Sequence, residues 1–400
     1  MTTSERALSD VYWDPYDVDL YAHPYDAYRR LRDEAPLYYN ERHDFYALSR
    51  FDDVKAALAD RDNLLSGRGN SMDQIKMEFS FPPATLVYED EPVHRPRRAL
   101  LAGVFTPRKM RDLDPRIRAY CEQILDPFVG VGTFDLVPEV SDKIPMRVIG
   151  MLLGIPEKDC DDIKAQLDAF LEQVPGEQWE VPENMFDGEV FADYVEWRAK
   201  NPSDDLMTEL LQAEFTDENG VVRRLARSEV LSYVNMLAAA GNDTTGLLIT
   251  WLGKLLADHP EQRRILVEDR SLVNNAIEET LRIEPSSQAT ARYVVNDVEY
   301  HGRVVPAGSV MMLLGGSANH DERVYDDPDD YDICRETTRH LTFGHGIHAC
   351  IGSALARAEG QIFLDEFLKR FPDYHIEGAS LRTTANIGIR GWASLPVVTP

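Results

Sequence analysis

Short apolar runs in the first fifty residues predict a β-hairpin. Residues 37–39 (Leu-Tyr-Tyr) and 45–48 (Phe-Tyr-Ala-Leu) are apolar, and a polar turn-like segment separates them. Two further apolar runs, 292–298 and 309–314, predict strands later in the chain, and the C-terminal stretch is also β-like. Between them, residues 321–339 are polar and irregular and include Pro328, so no regular element is predicted there.

Helical periodicity dominates from about residue 95 to 285. The longest helix is predicted from Ser228 to about Asp258, with Ser228 as the N-cap and Pro260 just beyond the end. At a rise of ~1.5 Å per residue it would be about 45 Å long, enough to cross a whole domain. Another helix is predicted after Cys350, ending near Arg370. The sum is a mainly α protein with small β-sheets.

Residues 239–245 of the long helix are Ala-Ala-Gly-Asn-Asp-Thr-Thr, and the Gly, Asn, Asp and two Thr among them are poor helix formers in the middle of an apolar helix. A threonine can also bond back to the carbonyl one turn earlier and open the helix locally. The segment therefore predicts a small polar groove. The alternative is a solvent-facing polar patch, but apolar neighbours such as Leu237 and Leu248 favour burial of at least one face.

Residues 343–352, Phe-Gly-His-Gly-Ile-His-Ala-Cys-Ile-Gly, deliver one cysteine to the start of a predicted helix. Main-chain N–H groups and a helix N-terminus both favour a thiolate over a thiol. Glycines let the backbone approach something flat and bulky. Cys350 is therefore suited to be the axial ligand of a haem iron. The alternative for a lone cysteine is a buried structural residue in a glycine-rich turn.

The Cys350 segment resembles the cysteine-ligand loop of the cytochrome P450 family, Phe-Gly-x-Gly-x-His-x-Cys-x-Gly, at every fixed position. Residues 239–245 resemble that family's Ala-Gly-x-Asp/Glu-Thr-Thr motif. The resemblance implies the cytochrome P450 fold, with haem b held between the long helix and the cysteine loop. It also implies that Thr244 contacts dioxygen and that Asp243 relays protons to it. The residues that the resemblance places around the haem in these two segments are Ala240, Gly241, Phe343, Cys350 and Gly352.

The same resemblance implies four ligands for the haem propionates. They are His94 and Arg98 in an Asp-x-Pro-x-His-x-x-x-Arg-like segment, Arg292, and His348. The alternative for the first pair is a solvated helix start. Pro96 is unusual in this segment but is tolerated in a first helical turn. Asn319-His320-Asp321 and Tyr325 depart from the family's usual residues and affect only the expected packing.

Glu279 and Arg282 lie at i and i+3 on one helix face. Alone, such a pair is most often a solvated surface pair that contributes little. The resemblance implies instead a buried ion pair completed by a third residue, for which Arg335 is the candidate. We expect a structural role for all three.

The chain has 400 residues and a net charge of −27, with 44% hydrophobic residues. Such an acidic protein is not expected to bind nucleic acid or anionic membranes. No signal peptide and no run of ~18 apolar residues is visible. Four scattered cysteines without CxxC spacing suit a reduced cytoplasm and argue against zinc. We expect a cytoplasmic monomer, similar to soluble bacterial family members.

We expect one domain over residues 1–400. Its β-rich parts would be about 30–60 and 291–315, its helical core about 95–285, and its cysteine loop with the following helix 341–370. The resemblance implies electrons from NAD(P)H through ferredoxin reductase and ferredoxin. Basic residues of segments near the cysteine predict a positive ferredoxin patch: Arg97, Arg98, Arg108, Lys109, Arg335, Arg339 and Arg357.

The expected activity is hydroxylation of a lipid, branched acid or terpenoid with one oxygen atom of O2. Apolar residues in 65–87 and 170–191, with Met236, Leu237, Ala240, Ala289, Ile387 and Ile389, predict a large apolar cavity, although core packing explains each of them alone. Arg68 or Lys76 would anchor a substrate carboxylate, or both are solvated loop charges. The alternatives are a haem-thiolate gas sensor or haem-binding protein without turnover, a peroxide-driven peroxygenase, and a helical protein without haem.

Overall fold

A computed structural model describes residues 11–171, 176–182, 184–336, 339–381 and 389–400, without the side chains of Pro107 and Leu171. Helices make up most of its regular structure. Within these ranges, no helix is both long enough and apolar enough to cross a membrane. The α-helices are α1 (Val18–Ala22), α2 (Tyr25–Glu34), α3 (Phe51–Ala59), α4 (Met72–Lys76), α5 (His94–Leu101), α6 (Pro107–Leu125), α7 (Ile144–Leu153), α8 (Cys160–Leu171), α9 (Ala192–Lys200), α10 (Leu206–Gln212), α11 (Arg227–Asp258), α12 (Pro260–Glu268), α13 (Val273–Ile283), α14 (Gly315–Ala318) and α15 (Ser353–Arg370).

The strands are short and form small sheets. They are β1 (Leu37–Asn40), β2 (Phe45–Leu48), β3 (Leu64–Leu65), β4 (Thr133–Asp135), β5 (Glu214–Thr216), β6 (Val222–Arg224), β7 (Thr290–Val294), β8 (Val298–Tyr300), β9 (Arg303–Val305), β10 (Val310–Leu313), β11 (His375–Ile376), β12 (Ser380–Leu381), β13 (Trp392–Ser394) and β14 (Pro396–Val398). The largest sheet has the order β1-β2-β10-β7-β3. The mainly α fold with small sheets is confirmed.

The predicted hairpin is confirmed as the antiparallel pair β1–β2, in which Leu37 lies opposite Leu48. The sequence did not show that β10 joins β2 in parallel and β7 antiparallel. The predicted strand 292–298 is divided between β7 and β8. Helices dominate from about 95 to 285, as predicted, and the short strands β4, β5 and β6 lie between them.

The long helix α11 begins at Arg227, so the predicted N-cap at Ser228 is wrong. The N-cap is Ala226, whose main-chain N–H donates to the Glu229 carboxylate (2.8 Å). A carboxylate at this position also lies favourably at the positive end of the helix dipole. The predicted end at Asp258 is confirmed, and Pro260 opens α12.

Helix α11 passes through the main apolar core, where it packs against α7, α13 and α15. It stays α-helical through residues 239–245, so the local opening predicted there does not interrupt the helix. The predicted back-bond does form: the Thr244 hydroxyl donates to the Ala240 carbonyl (2.9 Å). At Gly241 the helix lies so close to α7 that an added Cβ would be 2.8 Å from Ile149 Cδ1.

The predicted ion-pair triad is confirmed. Glu279 accepts two hydrogen bonds from Arg282 (2.7 and 2.8 Å) and one from Arg335 Nε (3.1 Å). Glu279 and Arg282 are both buried. The two arginines also donate to main-chain carbonyls of the irregular segment, among them that of Asp330. The triad therefore stabilises the conformation of a segment that has no regular secondary structure of its own.

Candidate active site

Cys350 lies at the end of an irregular loop that a main-chain hydrogen bond closes, from Cys350 N to the Phe343 carbonyl (2.7 Å). Gly346 has a φ of +74°, and an added Cβ there would lie 2.9 Å from the Leu58 carbonyl oxygen. Glycine is therefore required at this turn for both conformation and space. The loop ends at Gly352, directly before α15.

Opposing effects act on the Cys350 sulfur. Burial raises the pKa of the thiol, while hydrogen bonds from the main chain of Gly352 and Ser353 and the charges of Arg98 and Arg357 lower it. The main-chain N–H groups thus favour a thiolate, as expected from the sequence, but the net direction of the pKa shift is upward because burial is the larger effect. A metal cation bound to the sulfur would reverse this balance, because a coordinating thiol is deprotonated.

An ion pair holds the cysteine loop against α13. The Arg357 guanidinium lies over the Phe343 ring (4.5 Å) and donates to Glu278 Oε1 and Oε2 (2.5 and 2.9 Å). His340 Nε2 is 3.1 Å from the same carboxylate. Burial by itself would raise the pKa of Glu278, but hydrogen bonds from Arg357 and His340 lower it to about 2. These contacts hold the cysteine loop against α13.

A cavity of about 370 Å³, the thiol cavity, separates the Cys350 loop from α11. Cys350 is surrounded by protein atoms, and its exposed surface faces the thiol cavity that it lines. The cavity brings together every residue that the sequence assigned to the site except Asp243. They are His94, Arg98, Ala240, Gly241, Thr244, Arg292, Phe343, His348, Cys350 and Gly352.

Among the residues that the structure describes, the two arginines of the thiol cavity have no carboxylate hydrogen-bond partner. Buried Arg292 donates to the Thr290 hydroxyl (3.2 Å) and the Ala291 carbonyl (2.8 Å), and burial lowers its pKa to about 10. Arg98 donates to the Ala349 carbonyl (2.5 Å). A buried guanidinium bonded only to neutral groups is costly unless an anion accompanies it.

Two histidines add buried ring nitrogens. The rings of His94 and His348 are 4.6 Å apart, and Nε2 of each has no hydrogen-bond partner among the described residues. The nearest carboxylate oxygen given for His348 Nε2, on Asp90, is 3.7 Å away, too far for a hydrogen bond. Burial, with the charges of His348 and Arg98, lowers the pKa of His94 to about 4.

These features fit a haem b. A sulfur faces the cavity from one side, the small residues Ala240 and Gly241 line the other, and a cluster of cationic and unpaired donors lies at the rim. A flat apolar macrocycle with two carboxylates would fill the space and satisfy those donors. The residues present therefore fit the group in shape and in charge.

A second cavity of about 290 Å³, the aromatic chamber, adjoins the thiol cavity. Met236, Ala240, Thr244 and Ala289 line both, so α11 forms a common wall. Of the apolar positions predicted from the sequence, Met72, Trp179, Met185, Phe186 and Ile389 also line the chamber. Leu237 lines the thiol cavity, Met77 is exposed, and Ile387 lies outside the described residues.

Asp243 lies between the aromatic chamber and a polar cavity of about 260 Å³. Asn242 donates to Asp243 Oδ1 (3.2 Å) and contacts Asp168 Oδ1 (3.4 Å). Asp168 in turn pairs with Lys164 Nζ (2.5 Å). Lys164 and Asp168 of α8 thus line the same polar cavity as Asn242 and Asp243 of α11.

Neither proposed carboxylate anchor reaches the site. Arg68 lies over the Tyr293 ring (4.4 Å) and is 3.8 Å from Glu78, and Lys76 donates to the His43 carbonyl. Neither lines the thiol cavity or the aromatic chamber. The expectation of a carboxylate anchor at these residues is not supported, because both side chains are directed to other partners.

Sequence reasoning missed several contributors. Glu278 and His340 form, with Arg357, the contacts that hold the cysteine loop against α13, which we call the loop anchor. Ser286 contacts α11, and Tyr88 lines the aromatic chamber. Glu278 directly precedes the Glu-x-x-Arg pair, which was the only local signal for it. For Ser286 and Tyr88 the sequence holds no signal, because their partners are distant in the chain.

Comparison with known proteins follows the same lines. A family model described as cytochrome P450 matches residues 156–374. Cytochrome P450 107B1 of Saccharopolyspora erythraea is 34% identical over 368 residues, 88% of this chain and 89% of that protein. The vitamin D(3) 25-hydroxylase of Pseudonocardia autotrophica is 33% identical over 364 residues, 90% and 89%. The solved structure of cytochrome P450 CYP109Q5 from Chondromyces apiculatus matches with a TM-score of 0.86 at 33% identity, covering 97% of this chain and 98% of that one.

Proposed function

We propose, since this chain belongs to the cytochrome P450 family and is a haem-thiolate monooxygenase, that it hydroxylates a hydrophobic small molecule with electrons from a ferredoxin. The observation that carries the proposal is the thiol cavity, which Cys350 bounds on one side and Thr244 of α11 on the other. The adjoining aromatic chamber offers an apolar space next to Thr244 for the substrate. Hydroxylases among the relatives are consistent with this activity.

Cys350 would bind the haem iron through its sulfur. Arg292, Arg98, His94 and His348 would hold the propionates. Both arginines bond only to neutral groups among the described residues, and Nε2 of each histidine has no partner there. When bound, the haem supplies the activation of dioxygen and the transfer of one oxygen atom to a substrate carbon. The remaining steps depend on how the protein holds the substrate and moves protons.

Thr244 and Asp243 would serve proton delivery. The Thr244 side chain lies at the common wall of the two cavities, and its hydroxyl is oriented by its bond to the Ala240 carbonyl. Asp243 contacts the polar cavity and the aromatic chamber, so a proton taken up on the Asp168 side can be passed toward Thr244. A positioned acid and hydroxyl suit a monooxygenase that needs two protons per turnover.

The ferredoxin would dock near the cysteine loop, on a smaller positive patch than the sequence suggested. Arg97 pairs with Glu89 and Glu229, Lys109 with Glu209, Arg335 with Glu279 and Arg357 with Glu278. Arg98 faces the thiol cavity. The two other members of the predicted set, Arg108 and Arg339, are exposed. We include both in the proposed docking surface, for which electrostatic steering predicts activity that falls as ionic strength rises.

Two expectations from the sequence remain part of the proposal: residues 1–400 act as one domain, and the protein works as a cytoplasmic monomer. The decisive experiment is on purified haem-loaded protein. A thiolate-type Soret band in the reduced carbon monoxide complex, with product formation from NADH, ferredoxin reductase and ferredoxin, is expected. The thiolate spectrum without turnover would favour the sensor, and turnover with peroxide alone would favour the peroxygenase.

A further inference from the structure

The aromatic chamber presents hydrogen-bond donors that the protein leaves unpaired, at a distance from Cys350. We propose that the substrate is an uncharged molecule carrying an acceptor oxygen, such as a ketone, ether or hydroxyl group, which Trp179 and Tyr88 bind. The inference rests on the proposed function, because it concerns the substrate of the same site. Of the three substrate classes expected from the sequence, which are a lipid, a branched acid and a terpenoid, the proposal excludes the acid.

Trp179 provides the first donor. Its side chain is buried and lines the aromatic chamber, and Nε1 has no hydrogen-bond acceptor among the described residues. The indole is held in place by its main-chain N–H, which donates to Asp73 Oδ2 (3.3 Å), and by packing with Val181 and Phe186. Buried indole N–H groups usually find a partner, so a ligand acceptor at this point would remove an unsatisfied donor.

Tyr88 provides the second donor. Its hydroxyl oxygen accepts a hydrogen bond from Gln74 Nε2 (3.0 Å). The hydroxyl proton has no acceptor among the described residues. Burial raises the pKa of Tyr88 to about 12, so the hydroxyl stays protonated. The ring is stacked on Phe81 (3.7 Å between centroids) and packs edge-on against Phe186 (5.5 Å). Both donors therefore belong to one rigid aromatic cluster.

The charges around the chamber disfavour an anion. Its described lining includes Asp73 and Asp243 but no lysine, arginine or histidine. A substrate carboxylate would be desolvated beside two acidic residues with no cation to pair with it, which is strongly unfavourable. The chamber differs in this respect from the thiol cavity, where the cations lie.

A cationic substrate is disfavoured for a different reason. Both oxygens of Asp73 already accept hydrogen bonds, from the Tyr16 hydroxyl and from Trp179 N. The unpaired polar groups named above are donors, and a donor directed at a cation is repulsive. An uncharged oxygen acceptor is the group that matches these donors.

The donors also set the orientation of the substrate. Trp179 and Tyr88 line only the aromatic chamber, whereas Thr244 and Ala240 line the thiol cavity as well. An oxygen bound at Trp179 and Tyr88 would therefore leave the opposite, apolar end of the molecule beside Thr244. Oxidation is expected at a carbon remote from the existing oxygen.

The test measures the affinity of the haem-loaded protein for three series of ligands, by the spin-state shift of the ferric Soret band and by equilibrium dialysis. The three series are built on the menthane, decalin and androstane skeletons. Each contains a hydrocarbon, a ketone, a carboxylate and a quaternary ammonium compound. The quaternary ammonium is used because, unlike an amine, it cannot ligate the iron. In at least one series we expect the ketone to bind about three- to tenfold more tightly than the hydrocarbon, with the two ions weakest.

Variants locate the effect. Trp179→Phe and Tyr88→Phe should each reduce the advantage of the ketone over the hydrocarbon, while leaving hydrocarbon affinity nearly unchanged. Trp392→Phe is the matched control, because Trp392 Nε1 is also buried without a partner but lines the polar cavity instead. Arg68→Ala and Lys76→Ala should leave the affinity of every compound unchanged.

Each outcome separates the inference from the proposed function. Absence of a thiolate spectrum in the reduced carbon monoxide complex would contradict the proposed function itself. With that spectrum present, the inference is overturned if the ketone binds no more tightly than the hydrocarbon in every series, or if a carboxylate or quaternary ammonium binds best. It is equally overturned if Trp179→Phe and Tyr88→Phe both leave the preference for the ketone unchanged.

Discussion

The hydroxyl of Ser286 donates a hydrogen bond to the main-chain carbonyl of Thr244 (2.8 Å). This contact joins the loop after α13 to α11 at the residue where the thiol cavity meets the aromatic chamber. The Thr244 side chain is meanwhile bonded to the Ala240 carbonyl (2.9 Å). Both the backbone and the side chain of Thr244 are therefore fixed by the protein before any substrate enters.

Removal of the Ser286 hydroxyl is expected to loosen this arrangement. We predict that Ser286→Ala lowers the free energy of unfolding by about 1 kcal/mol, the usual net contribution of one hydrogen bond. We also predict a lower ratio of product formed to NADH consumed, because Thr244 is held less well. Ser232→Ala is the control, since the Ser232 hydroxyl also donates to a main-chain carbonyl (3.1 Å to Ser228) but Ser232 lines neither the thiol cavity nor the aromatic chamber. Equal coupling in both variants would reduce Ser286 to a stabilising residue.

Thr244→Ala is expected to uncouple the enzyme. Positioned proton transfer contributes ~10²–10⁴-fold to reaction rates, and water would replace part of it, so we predict about tenfold less product per NADH and a matching rise in peroxide. Thr250→Ala is the control, because Thr250 also bonds back to a helix carbonyl (2.8 Å to Leu247) but lines neither the thiol cavity nor the aromatic chamber. Unchanged peroxide release in Thr244→Ala would remove Thr244 from proton delivery.

Cys350→Ser should abolish the thiolate spectrum of the reduced carbon monoxide complex and reduce product formation to background, because a hydroxyl is a poor substitute for the sulfur ligand. Cys334→Ser is the matched control, since Cys334 is also exposed but lies outside the thiol cavity. The measurement is the difference spectrum at equal haem content. Retention of the thiolate band in Cys350→Ser would assign the ligand to another cysteine.

Arg292→Met separates haem binding from folding. Loss of a charge-assisted bond to a propionate should raise the haem dissociation rate by about tenfold or more. Stability of the haem-free protein should stay equal or rise, because a buried guanidinium bonded only to neutral groups is removed. Arg263→Met should instead lower the stability of the haem-free protein and leave the haem dissociation rate unchanged. Buried Arg263 pairs with Asp373 (2.8 Å) and does not line the thiol cavity. Haem retention equal to wild type in Arg292→Met would contradict the propionate assignment.

Glu278 should make the loop anchor sensitive to acid. Its pKa falls from a usual 4.5 to about 2 in the folded protein, which corresponds to about 3 kcal/mol of stability as an upper value. A carboxyl group whose pKa is lowered on folding stabilises the folded state fully above about pH 4.5. This stabilisation is lost as the pH falls toward about 2. The stability difference between wild type and Glu278→Gln should therefore shrink over that interval, as measured by urea unfolding.

The control for this pH dependence is Glu268→Gln, whose exposed pair with Arg264 is long (3.8 Å) and should contribute almost nothing. Haem retention measured over the same interval should fall earlier in Glu278→Gln than in the control variant. A wild-type advantage that stays constant down to pH 2 would show that the Glu278 carboxylate is not what holds the loop.

Local patterns predicted the elements well and their ends less well. The hairpin of β1 and β2, the span of α11 to Asp258 and the helix α15 followed from apolar spacing and breakers within a few residues. The sequence predicts Ser228 as the N-cap of α11 because serine is a common cap. In the structure the N-cap is Ala226, and its main-chain N–H donates to the Glu229 carboxylate. Capping depends on side-chain rotamers, which residue type alone does not determine.

The candidate site divides in the same way. The cysteine loop, the polar segment of α11 and the cationic residues of the thiol cavity are recognisable without a structure, because each lies in a contiguous motif whose chemistry is local. The tertiary structure was needed to show that Arg68 and Lys76 are directed to other partners, and that Trp179, Tyr88 and Asp73 line one chamber. Those contacts join segments far apart in the chain. They depend on how helices and loops pack, and residue order alone does not specify the space they enclose.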